Sequence, residues 1–461
     1  MDKILKAVLK RVKPREAERK RMKKVADMLI ERVNRACEEL GISARAMLVG
    51  SAARGTWLRS ERDIDIFILF PEDLPREELE KRGMAVARKV AGKRGEEQFA
   101  EHPYVVAEFE GFEVDLVPCY DVADASKIKS AVDRTPHHNR YISKRLTPEL
   151  ADEVLLLKQF MLGVGTYGAE LKIHGFSGYL CELLILHYRS FKKAISAASK
   201  WTLGNIIDLE GSYSDSSEAK ALFEGQPLIV IDPVDINRNV AASVSMQNFA
   251  TFIRACQDFV REPNVRFFFP RQVKLLSKVE VERILRRRET CIFCIAFKSP
   301  DIVPDLLYPQ LRKTERALVA GIARAGFEVL RSDVWANNKS VILLELATMK
   351  LPKVQVHVGP PIEVGIGDFV KKHLRSKRKF AGPFIDSSGR LAFEIERKQT
   401  DARLALERAL AERTAFGKHV AQALAKGHKI YEGKQVTKLC NDKKICGFIS
   451  EYLVHCLPWY R

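Results

Sequence analysis

Two aspartates separated by one residue, Asp63 and Asp65, open the β-rich run that ends at Pro71. Alternate side chains of an extended strand share a face, so both carboxylates project together while Ile64 and Ile66 point into a core. Two carboxylates this close repel unless a cation lies between them. Mg2+ is a hard ion that takes carboxylate and phosphate oxygens. A third carboxylate, Asp115, lies in an apolar stretch with Val114, Leu116 and Val117. A charge there is costly unless it is paired or binds metal. Glu113 shares its strand face and is its rival; the close apolar flanks favour Asp115. Mg2+ held by Asp63, Asp65 and Asp115 would activate an attacking hydroxyl and hold a departing pyrophosphate.

Upstream, the short apolar strand Ala46–Val49 runs straight into Gly50 and Ser51. Backbone N–H groups at such a turn, with the Ser51 hydroxyl, can hold phosphate oxygens. Arg54, one turn on, adds a charged fork for the same phosphates. A lone Asp-x-Asp is usually a solvated strand face, and a lone Gly-Ser says little. The ordered set is far more specific: strand, Gly-Ser turn, Asp-x-Asp, then a distant Asp on a second strand. It predicts metal-dependent nucleotidyl transfer.

The elements that must position these groups are readable in outline. Val25, Leu29, Val33, Ala36 and Leu40 recur at helical spacing, with Gly41 as the stop. Strands are expected at Ala46–Val49 and Ile64–Phe70, a charged surface helix at Glu77–Lys93, and a strand pair at Tyr104–Phe109 and Phe112–Val117 joined at Gly111. Residues 1–143 therefore read as an α/β or α+β catalytic domain. Residues 144–262 read as mostly helical, with helices at Leu150–Leu162, Tyr179–Ala198 and Asn248–Val260. In the second of these, Leu180, Leu183, Leu184, His187 and Phe191 line one face. Leu203–Gln226 is polar and Ser-rich and reads as a surface loop. Strands return in 263–461, at Cys291–Phe297, Phe327–Arg331, Ser340–Ala347 and Leu391–Glu396, with helices at Gln310–Ala325 and Ala402–Ala425. The fold class is multidomain α+β, with room for two subdomains in the last region.

Longer segments carry a resemblance. Glu101–Tyr104, Val117–Tyr120, Ser130–Pro136, Tyr167–Glu170, Gly175–Leu184, Asp232–Asp235 and Arg238–Ala242 are similar to the archaeal, class I CCA-adding enzymes of the polymerase-β nucleotidyltransferase superfamily. The likeness is dense from about residue 45 to 245 and continues more weakly through Asp301–Val303 and Leu307–Leu311. It implies a template-independent tRNA nucleotidyltransferase that builds or repairs the 3′-terminal CCA from CTP and ATP. By position it makes Asp63, Asp65 and Asp115 the Mg2+-binding catalytic carboxylates, with Asp63 where the family often carries Glu. It makes Gly50, Ser51 and Arg54 triphosphate contacts. His138, Lys158 and Tyr167 become further nucleotide contacts, with Thr135 and Arg238 completing the pocket. It also suggests a homodimer. Taken alone, Lys158 beside Val154, Leu155 and Met161 would snorkel to solvent or meet an anion, and Arg238 could pair with Asp235.

Composition agrees with a polyanionic partner. The 461 residues carry 77 Lys and Arg against 59 Asp and Glu, a net charge of +18, which favours nucleic acid. Two basic clusters, Arg286–Arg288 and Lys371–Lys379 with Phe369 and Phe380 beside it, are either solvated faces or phosphate contacts for tRNA. No apolar run reaches the ~18 residues of a membrane helix, and the expected setting is cytoplasmic, with no membrane partner. Nine cysteines are too scattered for a disulfide framework. Cys291 and Cys294 have C-x-x-C spacing but apolar surroundings, and read as core residues. Two rival functions stand beside transfer to tRNA: a poly(A) or oligoadenylate polymerase, and an RNA-binding protein with a dead transferase fold. Retention of all three aspartates with Gly50-Ser51 argues against the last.

Overall fold

Ile64, Ile66 and Ile68 on one side of a strand, and Asp63, Asp65, Phe67 and Leu69 on the other, set the plan of the catalytic half. The computed structural model describes residues 1–99, 102–363 and 366–461. Glu101, the first residue of the Glu101–Tyr104 motif, lies outside the described residues. The chain divides into two compact units, Met1–Arg271 with Leu457–Arg461, and Gln272–Cys456.

The first unit begins with helices α1 (Asp2–Val12) and α2 (Glu16–Glu39). There follow β1 (Arg45–Val49), the short α3 (Gly50–Arg54), β2 (Asp63–Phe70), α4 (Arg76–Ala91), β3 (Glu96–Phe99), β4 (Pro103–Phe109) and β5 (Phe112–Tyr120). The five strands form one sheet in the order β1-β2-β5-β4-β3. Only β2 and β5 run parallel; the other neighbours are antiparallel. The isoleucines of β2 join Leu29 and Val33 of α2 and Leu79, Met84 and Val86 of α4 in one buried core. Helix α4, expected on the surface, is therefore amphipathic: its charged side faces solvent and its apolar side roofs the sheet.

The same unit continues through α5 (Arg134–Ser143), α6 (Pro148–Val164), α7 (Gly178–Tyr188), α8 (Phe191–Ala198), β6 (Asn205–Ile207), α9 (Ser216–Leu222), β7 (Leu228–Asp232), β8 (Asp235–Asn239) and α10 (Met246–Arg261). Two expectations need correction. Tyr179–Ala198 is two helices, not one. The chain turns at Arg189, whose φ is 66°, and the Ser190 hydroxyl caps α8 by accepting from the Lys193 N–H. Apolar residues continue across the break, so periodicity hides it. Moreover α7 has no single apolar face, because every residue from Leu180 to Leu186 is buried. The segment 203–226 is not plain loop either. It contributes β6 and α9, and β6-β7-β8 form a three-stranded sheet. The core beneath these helices is aromatic. Phe160 lies 5.3–6.2 Å from the rings of Phe191, Phe252, Phe259, Phe267 and Phe268. Trp459 stacks on Phe267 at 5.6 Å, and its indole N–H donates to Asp258 Oδ2 at 3.1 Å.

The second unit holds α11 (Lys278–Arg288), β9 (Cys291–Lys298), α12 (Pro304–Arg324), β10 (Val329–Ala336), β11 (Lys339–Leu346), β12 (Val354–Val358), α13 (Gly367–Leu374), β13 (Lys379–Ile385), β14 (Leu391–Glu396), α14 (Ala402–Ala411), α15 (Lys418–Lys426), β15 (His428–Glu432) and α16 (Lys443–Val454). Its strands form two sheets, β10-β11-β9-β15 and β12-β14-β13. The expected helix at 402–425 is α14 and α15, interrupted between Ala411 and Lys418. Strand β9 is buried on both faces. Cys291 and Phe293 join one core, with Leu311 and Leu406, while Cys294 joins the other, with Val281 and Ile449. The two cysteines thus point to opposite faces of one strand, as core residues and not as a metal pair.

Candidate active site

Strand β2 and its parallel neighbour β5 bring the three aspartates together. Asp65 pairs in register with Asp115, and Asp63 with Glu113. On the other side Asp65 pairs with Val49, the last residue of β1. Gly50 follows at φ +75°, and a Cβ built there would lie 1.9 Å from Asp65 Oδ2. The turn is therefore folded directly onto the Asp65 carboxylate, and only glycine permits it. Asp115 is half-buried while Glu113 is exposed, which separates the two rivals on the β5 face.

The electrostatics are those of crowded, partly dehydrated anions. Burial pushes the Asp65 carboxyl up to about 6; the Asp63 charge adds to this, and Arg54 and Lys158 oppose it. Burial pushes Asp115 up to about 7, with help from Asp65, Glu113 and Asp63. Asp63 is raised too, by burial and then by Glu61 and Glu113. Among the described residues no three His, Cys, Asp or Glu side chains close into a ready metal cage. What the structure does provide is a row of hard oxygen donors, on adjacent strands, whose negative charges disfavour one another. That donor set fits a divalent hard cation such as Mg2+.

Two cations, Arg54 and Lys158, border this row and a third, Arg238, stands at Asp232; each is held by a carboxylate. Arg54 is nearly enclosed: its Nε donates to Glu182 Oε1 at 2.9 Å and its Nη1 to Asn139 Oδ1 at 3.0 Å. Lys158 is 2% exposed and sits 3.8 Å from Glu61 Oε2, with its ammonium over the Tyr167 ring at 5.8 Å. Lys158 therefore does not snorkel; it is an internal cation facing Asp63, Asp65 and Tyr167. The Tyr167 hydroxyl donates to Glu61 Oε1 at 3.4 Å. Arg238 Nη1 donates to Asp232 Oδ2 at 2.6 Å, so the alternative of an Arg238–Asp235 pair is wrong. Asp235 takes Arg134 instead, at 2.9 Å.

Asp232 is a second convergence point. Besides Arg238 it meets His138 Nε2 at 2.9 Å and accepts from the Tyr179 hydroxyl at 3.1 Å. His138 and Tyr179 are stacked, 4.0 Å between ring centres. Burial lowers the His138 pKa, against the opposing pull of Asp232. Burial alone would raise Asp232, but His138 and Arg238 outweigh it and hold the carboxyl low. Facing a carboxylate, His138 Nε2 is the ring nitrogen placed to donate. Thr135 lies half-buried on α5, one turn before His138.

Three family models match successive stretches of the chain. They are described as "Nucleotidyltransferase domain" at residues 30–138, "tRNA nucleotidyltransferase, second domain" at 152–269, and "CCA-adding enzyme, C-terminal domain" at 288–433. Curated relatives extend over almost the whole length. A protein of Methanosarcina barkeri named "CCA-adding enzyme" is 44% identical over 439 residues, covering 94% of each chain. The chain belongs to the CCA-adding enzyme family. Relatives of the same name from Halobacterium salinarum and Methanothermobacter thermautotrophicus are 41% and 40% identical, covering 94% and 92% of this chain and 95% and 92% of theirs. A solved Cid1 poly(U) polymerase overlaps 57% of this chain and 94% of its own, at 14% identity and a TM-score of 0.46.

As a CCA-adding enzyme family member the chain places Gly50, Asp63, Asp65 and Asp115 in one row, with Arg54 and Lys158 bordering it. His138 and Arg238 meet at Asp232, and Tyr167 meets Lys158. Three partners were given no role from the sequence, although Glu182 and Asp232 lie in segments that carry the family resemblance. Glu182 left a signal, as the only charged residue in the apolar helix α7. Asp232 left a weaker one, at the end of the buried strand β7. Glu61 left none, since Ser60–Arg62 looks like ordinary polar loop.

Proposed function

We propose that this chain adds or repairs the 3′-terminal CCA of tRNA, using CTP and ATP. The observation that carries the proposal is the Asp65–Asp115 pair in register, with the Gly50 turn packed onto Asp65. The oxygen of the tRNA 3′-hydroxyl attacks the α-phosphate of the bound nucleotide. A new P–O bond forms as the bond to the β,γ-pyrophosphate breaks, and the hydroxyl proton passes to the carboxylate row. Asp63, Asp65 and Asp115 would hold Mg2+, which supplies charge stabilisation to the attacking and leaving oxygens. Gly50, Ser51, Arg54 and Lys158 receive the triphosphate. Thr135, His138, Tyr167 and Arg238 border the ribose and base. Positioning and charge stabilisation then account for most of the rate.

The tRNA body is a partner for the exposed cations of the second unit. Lys371 and Lys372 on α13, with Arg375 and Lys377 after it, are exposed. Arg288 is partly committed: its Nε and Nη2 grip the buried Glu345 at 2.6 and 3.0 Å. The Arg286–Arg288 cluster is therefore partly a structural anchor. No helix among the described residues is long and apolar enough to cross a membrane; a cytoplasmic setting is part of the proposal. A homodimer remains part of the proposal.

The test is extension of a tRNA lacking its CCA, with Mg2+ and labelled nucleotides, resolved at single-nucleotide length. Two C additions with CTP alone, and a terminal A only when ATP is also present, are expected. A long A tail would move the function to a poly(A)-type polymerase, and binding without extension would make it an RNA-binding protein.

A further inference from the structure

Glu182 is a fully buried carboxylate that the proposed reaction does not use. It stands on α7, 0% exposed, and holds Arg54 and Thr56. Its Oε1 accepts from Arg54 Nε at 2.9 Å and from the Thr56 hydroxyl at 2.6 Å. Its Oε2 is buried without a hydrogen-bond partner among the described residues. Arg54 is fixed from a second helix as well, through Nη1 on Asn139 of α5. Among the described residues Nη2 makes no hydrogen bond. The guanidinium is thus gripped by two of its three nitrogens and left with one. Its charge is felt on both sides of the site, lowering the Asp65 carboxyl and the His138 imidazole.

A buried ion pair is a poor way to gain stability alone, because dehydrating both ions cancels much of their attraction. An orphaned carboxylate oxygen adds to that cost. Such a pair makes sense where a fixed direction of the arginine matters. Arg54 leaves a helix of only five residues, which cannot orient a long side chain by itself.

We infer that Glu182 is a positioning residue that clamps Arg54 through Nε and so aims the free Nη2 at the polyphosphate of the incoming nucleotide. This rests on the reading of Arg54 as a triphosphate contact. Because the polyphosphate is common to CTP and ATP, Glu182 serves both nucleotides alike and has no part in choosing the base.

The test measures KM for CTP, ATP and tRNA, kcat and Tm for a set of full-length variants. Glu182→Gln keeps a carbonyl acceptor for Arg54 Nε, and its nucleotide KM should stay within about threefold of wild type. Glu182→Asp keeps the charge but withdraws the acceptor by one carbon. It should raise KM for CTP and ATP in parallel by about tenfold or more, with KM for tRNA unmoved. Glu182→Leu should do the same or worse. Combined with Arg54→Met it should be no worse than Arg54→Met alone. A Glu182→Asp protein with wild-type nucleotide KM overturns the inference, whatever its Tm. So does a rise confined to one nucleotide, or a double variant whose losses multiply. If Arg54→Met itself leaves nucleotide KM unchanged, the assignment of Arg54 fails, and the Glu182 inference falls with it. If Arg54→Met raises KM and Glu182→Asp does not, only the Glu182 inference falls.

Discussion

Asp65 and Asp115 titrate near 6 and 7 because burial and neighbouring anions disfavour their charged forms. An unfolded chain ionises them near pH 4. Between those values the folded protein holds more protons than the unfolded one, so stability falls as pH rises from about 4 to about 7. Asp65→Asn or Asp115→Asn should therefore abolish transfer yet, in EDTA, raise Tm at pH 8, with the gain vanishing near pH 4. Thermal melts across pH check this, and a lower Tm for both variants at pH 8 would refute it. Mg2+ should raise Tm of the wild type at pH 8 and not of either variant. Asp63 and Asp65 were legible because strand alternation places them on one face, and Asp115 because its charge stands in an apolar stretch. Lys158 was not, because nothing in the spacing of α6 says that Glu61 and Tyr167 stand opposite it. Family likeness marked Lys158 and Arg54 as nucleotide contacts, but only the folded chain shows that each is held by a carboxylate from elsewhere.

The strand–turn–helix unit β1–α3 works as one element, and its weak point is Gly50. Gly50→Ala would need a positive φ and would drive a methyl into Asp65 Oδ2. It should lower kcat by roughly a hundredfold or more, since small misplacements of a reacting group cost about that much. Far-UV spectra should be unchanged. Near wild-type turnover would mean that Asp65 can move aside at no cost. At this scale the sequence was read well where pattern and punctuation agree, as at α2 with Gly41 and at the β4–β5 pair around Gly111. It was read poorly where apolar residues run on through a turn. Arg189 and Ser190 divide α7 from α8, and Glu412 to Gly417 divide α14 from α15, with no proline and with a glycine only in the second case. The Leu203–Gln226 stretch misled in the other direction: Asp215 caps α9 with serines beside it, and β6 is only three residues long.

The whole molecule carries +18, and its affinity for tRNA should reflect that. Binding should weaken at least about tenfold between 50 and 200 mM salt, as counterions compete for phosphates. Affinity measured across a salt series checks this, and a flat response would point to contacts other than phosphate. Stability should depend on the closing segment. Trp459 is buried against Phe267 and bonded to Asp258, so Trp459→Ala should cost about 3–5 kcal/mol of unfolding free energy in the first unit. Denaturant melts of the variant would show it; an unchanged midpoint would make the segment ornamental.

That segment also orders events in time. Leu457–Arg461 belongs to the first unit, yet the ribosome reaches it only after making all of Gln272–Cys456. At ~5–20 residues per second the delay is on the order of 10–40 s. Throughout it Phe267 lacks the stacked Trp459 ring, and Asp258 lacks the hydrogen bonds of Trp459 and Tyr460. The core of the first unit is thus completed only after the second unit has been made.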